Sequence, residues 1–306
     1  MLRQRLLASS ILIPSLIGLF VWDASLGSEA PVLLGLCVIL ALRLAFELVQ
    51  MLHRRGLLAS WPHSGIAAAV IVVAGWSNDL WSHACGCFQD SSPLDRTALA
   101  FALMVLVLLL VHALRFREPG KSLGALSADM LVVCYTGLLL VVTSQLRWTP
   151  HPDLGYIALG ALVASAKMGD TGAYTLGRLW GRRKLHPRLS PGKTWMGALG
   201  AVLGASLGAV AWLEWSRRLM TTSEVPLDAS VSSSLPLWLW AVVFGSVMGV
   251  TGLIGDLCES LMKRDAEVKD SAALFPGMGG ALDLLDSILY AGPVAYLFFR
   301  LWPPTL

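Results

Sequence analysis

The segment from Asp256 to Asp286 concentrates ionisable side chains in a chain that is otherwise strongly apolar. It contains five Asp, two Glu, two Lys and one Arg, together with the glycine-rich turn PGMGG. Ionisable groups beside a bilayer are costly unless they line a polar site. Acids and bases that alternate near a glycine turn suit metal ions and phosphates. This segment is therefore the first candidate for chemistry.

Helical spacing predicts that the charges on the two sides of the turn converge. If the helix before the turn extends beyond the membrane, one face of it carries Asp256, Ser260, Lys263 and Arg264. Asp283 and Asp286 lie three residues apart and share a face of the next helix. Magnesium usually takes one or two carboxylates plus substrate phosphates. The converging carboxylates therefore suit a magnesium ion.

Structural roles for single residues of this segment stay open at this point. Glu259 and Lys263 are spaced as an ordinary i, i+4 ion pair. Asp286 is a suitable N-cap for the last helix. The functional interpretation instead assigns phosphate contacts to the cations and to the backbone of the turn. Its candidates are Lys263, Arg264, Lys269, Gly279 and Gly280.

A second polar stretch covers residues 167–197. Lys167 and Asp170 are three residues apart and are expected to pair with each other. The SPGKT sequence at 190–194 places Lys193 after a Pro-Gly turn and next to hydroxyl side chains. It lacks the GxxxxGK[ST] frame of a nucleotide P-loop, so we do not assign it to that class. Lys193 is predicted to bind phosphate.

The elements that must position these residues are membrane helices. The chain of 306 residues is 56% hydrophobic and only 14% charged, whereas soluble domains carry about 25% charged residues. We predict an all-α polytopic membrane protein with about nine transmembrane helices. The expected spans are 6–22, 31–51, 65–82, 97–115, 122–146, 154–176, 195–215, 236–256 and 286–302. The third is interrupted by Asn78 and Asp79.

The distribution of basic residues predicts the topology. With the N-terminus in the cytoplasm, the inside segments hold sixteen Lys and Arg and the outside segments hold five. Both polar stretches then face the cytoplasm. We expect residues 1–150 to form a transmembrane scaffold and residues 151–306 to form the catalytic region. Nothing in the sequence indicates nucleic-acid binding, and a homodimer is left open.

Both polar stretches resemble the phosphatidate cytidylyltransferase (CDP-diacylglycerol synthase) family. The family signature is S-x-x-K-R-x4-K-D-x-[GSA]-x2-[LIF]-[PG]-x-H-G-G-x-x-D-R-x-D. The residues of this chain that match it in register are Ser260, Lys263, Arg264, Lys269, Asp270, Ala272, Phe275, Pro276, Gly279, Gly280, Asp283 and Asp286. Two further family blocks match Asp170 to Gly181 and Lys184 to Gly197. The resemblance covers about residues 154–302.

This chain departs from the family pattern at three positions. Met278 stands where the family has His, Leu284 where it has Arg, and Met196 where it has Glu. Met cannot donate a hydrogen bond to phosphate, and Leu cannot bind phosphate bidentately as Arg does. The acidic residues and the Lys263–Arg264 pair are retained. An active enzyme is favoured, and a catalytically impaired homologue or a different lipid phosphate acceptor stays an alternative.

The resemblance implies transfer of a cytidylyl group from CTP to phosphatidate with Mg²⁺, at the cytoplasmic face of a bacterial inner membrane. It implies catalytic roles for Asp283, Asp286, Lys263 and Arg264. It also implies metal ligation by Asp256, Asp283 and Asp286, and a second cation is left open. The implied substrate-binding residues are Lys193, Ser190, Ser260, Lys269, Asp270, Asp170, Gly279 and Gly280. A membrane transporter that uses Glu47, Asp129 and Lys167 is the alternative from another class.

Overall fold

The computed structural model describes residues 2–85, 92–149, 151, 156–220, 235–272, 274 and 279–304, and almost all of them are helical. The helices are α1 (Leu2–Ser25), α2 (Pro31–Arg54), α3 (Trp61–Ala74), α4 (Asn78–Cys85), α5 (Pro93–Leu114), α6 (Ser122–Val132), α7 (Leu139–Ser144), α8 (Ile157–Trp180), α9 (Trp195–Met220), α10 (Leu237–Asp265) and α11 (Ala281–Leu301). A π-helical turn, Val133–Leu138, joins α6 to α7, and a 3-10 turn, Gln145–Trp148, follows α7. The strands are β1 (Lys184–His186) and β2 (Ser190–Thr194).

Six helical stretches are long and apolar enough to cross a membrane, within the described residues. They are Pro31–Arg54, Pro93–Leu114, Ser122–Trp148, Trp195–Arg218, Leu237–Asp265 and Ala281–Leu301. Each coincides with a predicted span, which confirms a helical membrane protein. The count of nine is not confirmed.

The predicted span 65–82 is not one helix. It divides into α3 and α4 around residues 75–77, immediately before the Asn78 and Asp79 that interrupt the apolar run. Arg96 holds this break by donating hydrogen bonds to the carbonyls of Ala74 and Trp76 and to the side chain of Asn78. These bonds satisfy carbonyl groups that a helix end leaves without partners.

The chain forms two compact units. The first contains residues 1–142 and 262–285, and the second contains residues 143–261 and 286–306. Residues 262–285, which include much of the polar segment, therefore belong with the N-terminal helices. The functional division at residue 150 stays a prediction.

In the first unit, α3 packs closely against α2, α5 and the π-helical turn. A Cβ atom on Gly137 would lie 2.8 Å from Cα of Ala68, so this position requires glycine for the close approach. Buried polar groups are bonded across helices. The carboxylate of Asp129 accepts from the backbone N–H of Ser60 at 2.7 Å and lies 2.8 Å from Nε2 of His112. These bonds fix the start of α3.

In the second unit, α8 and α9 pack very closely against each other. Cβ atoms added to Gly172 and Gly200 would come within 2.2 Å of the opposite backbone, so small residues allow the two helices to touch. The antiparallel strands β1 and β2 connect the helices, with Lys184 opposite Thr194. This hairpin positions Lys193 beside α10.

Candidate active site

A Lys–Asp pair joins the β-hairpin to α10 in the second unit. Nζ of Lys193 lies 3.1 Å from Oδ2 of Asp256 and 3.5 Å from the carbonyl oxygen of Leu253. The side chain of Lys193 is 20% exposed and that of Asp256 is 28% exposed, so both groups are partly shielded and still reachable. α10 continues to Asp265 without interruption. The prediction that Asp256, Ser260, Lys263 and Arg264 share one helical face required this extension.

Acidic groups outnumber bases around this pair. Asp256 interacts electrostatically with Asp286 and Asp170, and Asp286 interacts electrostatically with Glu259. Lys167 pairs with Asp170 at 3.1 Å, as predicted. Four carboxyl groups therefore share two ammonium groups, those of Lys167 and Lys193. Carboxylate oxygens are the ligands that a divalent cation such as Mg²⁺ prefers.

The Lys193–Asp256 pair lines an open cleft of about 290 Å³. Tyr174 and Arg178 from α8 line the same cleft, and Nη1 of Arg178 donates to the hydroxyl of Tyr174 at 2.7 Å. Two cations and a hydroxyl in one concave surface suit a phosphate group. Gly177, Gly192 and Gly197 also line the cleft and keep its walls free of side chains.

A smaller cavity of about 20 Å³ is also lined by Asp256. Ser165, Asp170 and Asp256 are the lining residues with polar side chains. Oγ of Ser165 is fully buried and makes no hydrogen bond within the described part of the chain. A cavity of this size accommodates one water-sized species that has polar partners. Hard oxygen donors of this kind fit Mg²⁺.

In the first unit, Asp283 is engaged in internal bonds. Its Oδ1 lies 2.8 Å from Nζ of Lys263. Its Oδ2 accepts from the N–H of Ser271 at 2.9 Å, from the hydroxyl of Ser271 at 2.7 Å and from the N–H of Gly280 at 2.7 Å. Metal ligation by Asp283 and phosphate binding by Gly280 stay predictions, and each would require some of these bonds to break.

The structural alternative for Asp286 was wrong in one respect. α11 begins at Ala281, so Asp286 lies within the helix and cannot be its N-cap. The helix begins earlier because Asp283 accepts from the Gly280 N–H and so satisfies a group at its start.

The other predicted residues have varied settings. Ser190 and Ser260 are half-buried, whereas Arg264, Lys269 and Asp270 are exposed. Gly279 has a positive φ of 88°, which favours glycine. Met278 lies outside the described residues. No group of three or more His, Cys, Asp or Glu in the described ranges forms a metal site by itself, so the three-carboxylate ligand set stays a prediction.

Sequence reasoning missed four residues near these groups: Tyr174, Arg178, Ser165 and Ser271. Tyr174 and Arg178 lie within the family block from Asp170 to Gly181, so that block contained the signal. Ser165 stands in no quoted motif, and Ser271 occupies an unspecified position of the quoted signature. Their positions become evident only when the cavity and the hydrogen bonds of Asp283 are known.

The sequence model of the Cytidylyltransferase family matches residues 3–302. This chain belongs to the cytidylyltransferase family. It is 29% identical to the phosphatidate cytidylyltransferase of Chlamydia pneumoniae over 242 residues, which cover 77% of this chain and 71% of that protein. It is also 29% identical to the phosphatidate cytidylyltransferase of Haemophilus influenzae over 230 residues, covering 72% and 76%.

A third relative of this cytidylyltransferase is the uncharacterized protein YnbB of Escherichia coli. The two chains are 34% identical over 185 residues, which cover 60% of this chain and 56% of YnbB. The expected enzyme class is thus confirmed by the family match, which extends through the N-terminal third, where the quoted motifs are absent.

Proposed function

We propose that this enzyme transfers the cytidylyl group of CTP to phosphatidate and releases CDP-diacylglycerol and pyrophosphate. The observation that carries the proposal is the Lys193–Asp256 pair, which lines a cleft with Tyr174 and Arg178 and is surrounded by acidic groups. The names of the Chlamydia and Haemophilus relatives support phosphatidate as the acceptor. The positive-inside distribution supports a site on the cytoplasmic face of a bacterial inner membrane.

The reaction needs charge neutralisation more than proton transfer. A phosphate oxygen of phosphatidate attacks the α-phosphorus of CTP, and the bond from that phosphorus to the β-phosphate oxygen breaks. Pyrophosphate leaves with the bonding electron pair. The nucleophile is already anionic, so catalysis consists mainly of positioning and electrostatic stabilisation. Lys193 and Arg178 are the cations of the cleft that can contact phosphate oxygens.

The acidic group fits a divalent cation. Asp256 would hold Mg²⁺, with Asp170 and Asp286 as its nearest acidic neighbours. When bound, the ion neutralises charge on the triphosphate and on the leaving pyrophosphate. Ser165 adds an oxygen whose bonding capacity is unused within the described residues. The chain's own contribution is to hold these oxygens on α8, α10 and α11 around Lys193.

A different acceptor remains the second candidate. Leu284 and Met196 are half-buried apolar side chains in places where the family has Arg and Glu. They remove one positive and one negative group from the family pattern, which can alter the lipid phosphate that fits. The transporter alternative gains no support, because Glu47 and Asp129 both accept hydrogen bonds from backbone N–H groups within the first unit.

The acceptor is tested with purified protein in phosphatidylcholine nanodiscs that contain one lipid phosphate at a time. With Mg²⁺ and CTP labelled at the α-phosphate, we expect label in the lipid fraction with phosphatidate. Undecaprenyl phosphate and ceramide phosphate are expected to give little, and chelation of Mg²⁺ should abolish the reaction. Label in another lipid alone would overturn phosphatidate as the acceptor. CTP binding without any transfer would indicate an impaired homologue.

A further inference from the structure

The carboxylate of Glu47 lies at the N-terminus of α11. Glu47 is on α2, and its side chain is completely buried. Oε1 accepts from the N–H of Ala281 at 3.1 Å, and Oε2 accepts from the N–H of Leu282 at 2.9 Å. Oε1 also lies 2.9 Å from Nε of Arg43, which is one turn earlier on α2 and 33% exposed. A side chain distant in sequence therefore supplies the cap of this helix.

These bonds meet a physical requirement of α11. The first N–H groups of a helix have no partners within the helix, and its N-terminus favours negative charge. Asp283 accepts a hydrogen bond from the N–H of Gly280, and Glu47 accepts from the N–H groups of Ala281 and Leu282. The start of α11 therefore depends on two carboxylates, of which only Asp283 belongs to the helix itself.

The two carboxylates are linked through one hydroxyl. Oγ of Ser271 lies 3.1 Å from Oε2 of Glu47 and 2.7 Å from Oδ2 of Asp283. A hydroxyl has a single hydrogen, so it donates to one carboxylate at a time. A Cβ atom on Gly280 would lie 2.4 Å from Oε2 of Glu47 and 2.3 Å from Oγ of Ser271. Glycine at this position is thus required for the link.

We propose that Glu47 is a positioning residue for the reaction, acting through Ser271 and the first turn of α11 on Asp283, for which the family resemblance implies a catalytic role. The inference rests on the proposed function. Glu47 contacts neither cleft nor substrate in this account. It holds the N–H groups of Ala281 and Leu282 in place, and it shares with Asp283 the single hydroxyl hydrogen of Ser271. Asp286 lies three residues further along the same helix.

Glu47→Gln tests the proposal because it keeps the size of the side chain and removes its charge. An amide nitrogen cannot accept a hydrogen bond, so one helix N–H or the Ser271 hydroxyl loses its acceptor. We expect kcat to fall about 10- to 100-fold, because small misplacements of catalytic groups cause losses of this size. KM for CTP should change less than about 2-fold. Hydrogen exchange at the amides of 281–283 should rise at least about tenfold.

Glu214→Gln is the matched control. Glu214 pairs with Arg217 one turn away on α9, as Glu47 does with Arg43 on α2, and among the described residues its bonds involve no other helix. This variant should leave both kcat and exchange at 281–283 unchanged. If Glu47→Gln protein is not recovered folded, Ser271→Ala tests the same link. It removes only the bridging hydroxyl and should lower kcat in the same way.

Two results would overturn the proposal. One is wild-type kcat with unchanged exchange at 281–283 in Glu47→Gln. The other is faster exchange throughout the first unit with normal kcat per folded molecule, which is the signature of a purely structural role. The exchange measurement does not need activity. If wild-type protein fails to transfer cytidylyl groups, the helix-capping part of the inference is still tested separately from the proposed function.

Discussion

Asp256→Asn should lower kcat/KM for cytidylyl transfer by about 10²- to 10³-fold and leave the protein folded. Asp256 interacts with Lys193, Asp170 and Asp286, so it is the central acid of the group. The amide keeps the shape of the side chain but removes a charged oxygen ligand. Losses of this size follow removal of one group that stabilises transition-state charge. Initial rates over a range of Mg²⁺ concentrations measure the effect.

Asp265→Asn is the control for that substitution. Asp265 is the last residue of the same helix, and its exposed side chain pairs with Arg55. An exposed ion pair contributes little, so activity should remain within about 2-fold of the wild type. If Asp256→Asn keeps full activity and the same Mg²⁺ requirement, Asp256 is not the metal-binding acid.

Lys193→Met should be the second most damaging change, with kcat/KM for CTP lower by about 10²-fold. Methionine nearly preserves the length of the side chain and removes the ammonium group that faces the cleft. The variant also removes a positive charge that offsets the negative charges of Asp256 and its acidic neighbours, so the repulsion among these carboxylates increases. A charge-assisted bond to phosphate is lost in the same step. Steady-state kinetics with CTP at saturating phosphatidate give the measurement.

Lys184→Met controls for the charge of the hairpin. Lys184 is exposed on β1, opposite Thr194, which directly follows Lys193. Its replacement should change kcat/KM less than about 2-fold. The double variant Lys193→Met with Asp256→Asn should lose less than the sum of the two single effects, because residues in direct contact act non-additively. Strict additivity would argue against the pair as a functional unit.

Much of the helical architecture follows from simple patterns in the sequence. Apolar runs of membrane length predicted all six long apolar helices, because only a helix satisfies its own backbone in lipid. The break between α3 and α4 was harder to predict. A hydropathy average over a window of residues does not show this break. The break is stabilised by hydrogen bonds from Arg96 to two carbonyl groups, and Arg96 lies further along the chain, on α5.

The candidate site was predictable in its residue types and less so in its pairings. The motifs indicated Lys193, Asp256 and Asp283, but spacing alone could not show that Lys193 pairs with Asp256. That pair depends on the return of the chain through the β-hairpin. The internal bonds of Asp283 were also hidden, since its partners Lys263, Ser271 and Gly280 meet it only when the segment between α10 and α11 has folded.

The central claim is that this chain transfers a nucleotidyl group, and the fate of two labels tests it most directly. Purified protein in nanodiscs with phosphatidate and Mg²⁺ receives CTP labelled at either the α- or the γ-phosphate. We predict that α-label enters the lipid fraction, that γ-label appears as pyrophosphate in equal amount, and that Asp256→Asn does both at least about 100-fold more slowly. Transfer of γ-label to lipid, or no label in lipid from folded protein that binds CTP, would contradict the account.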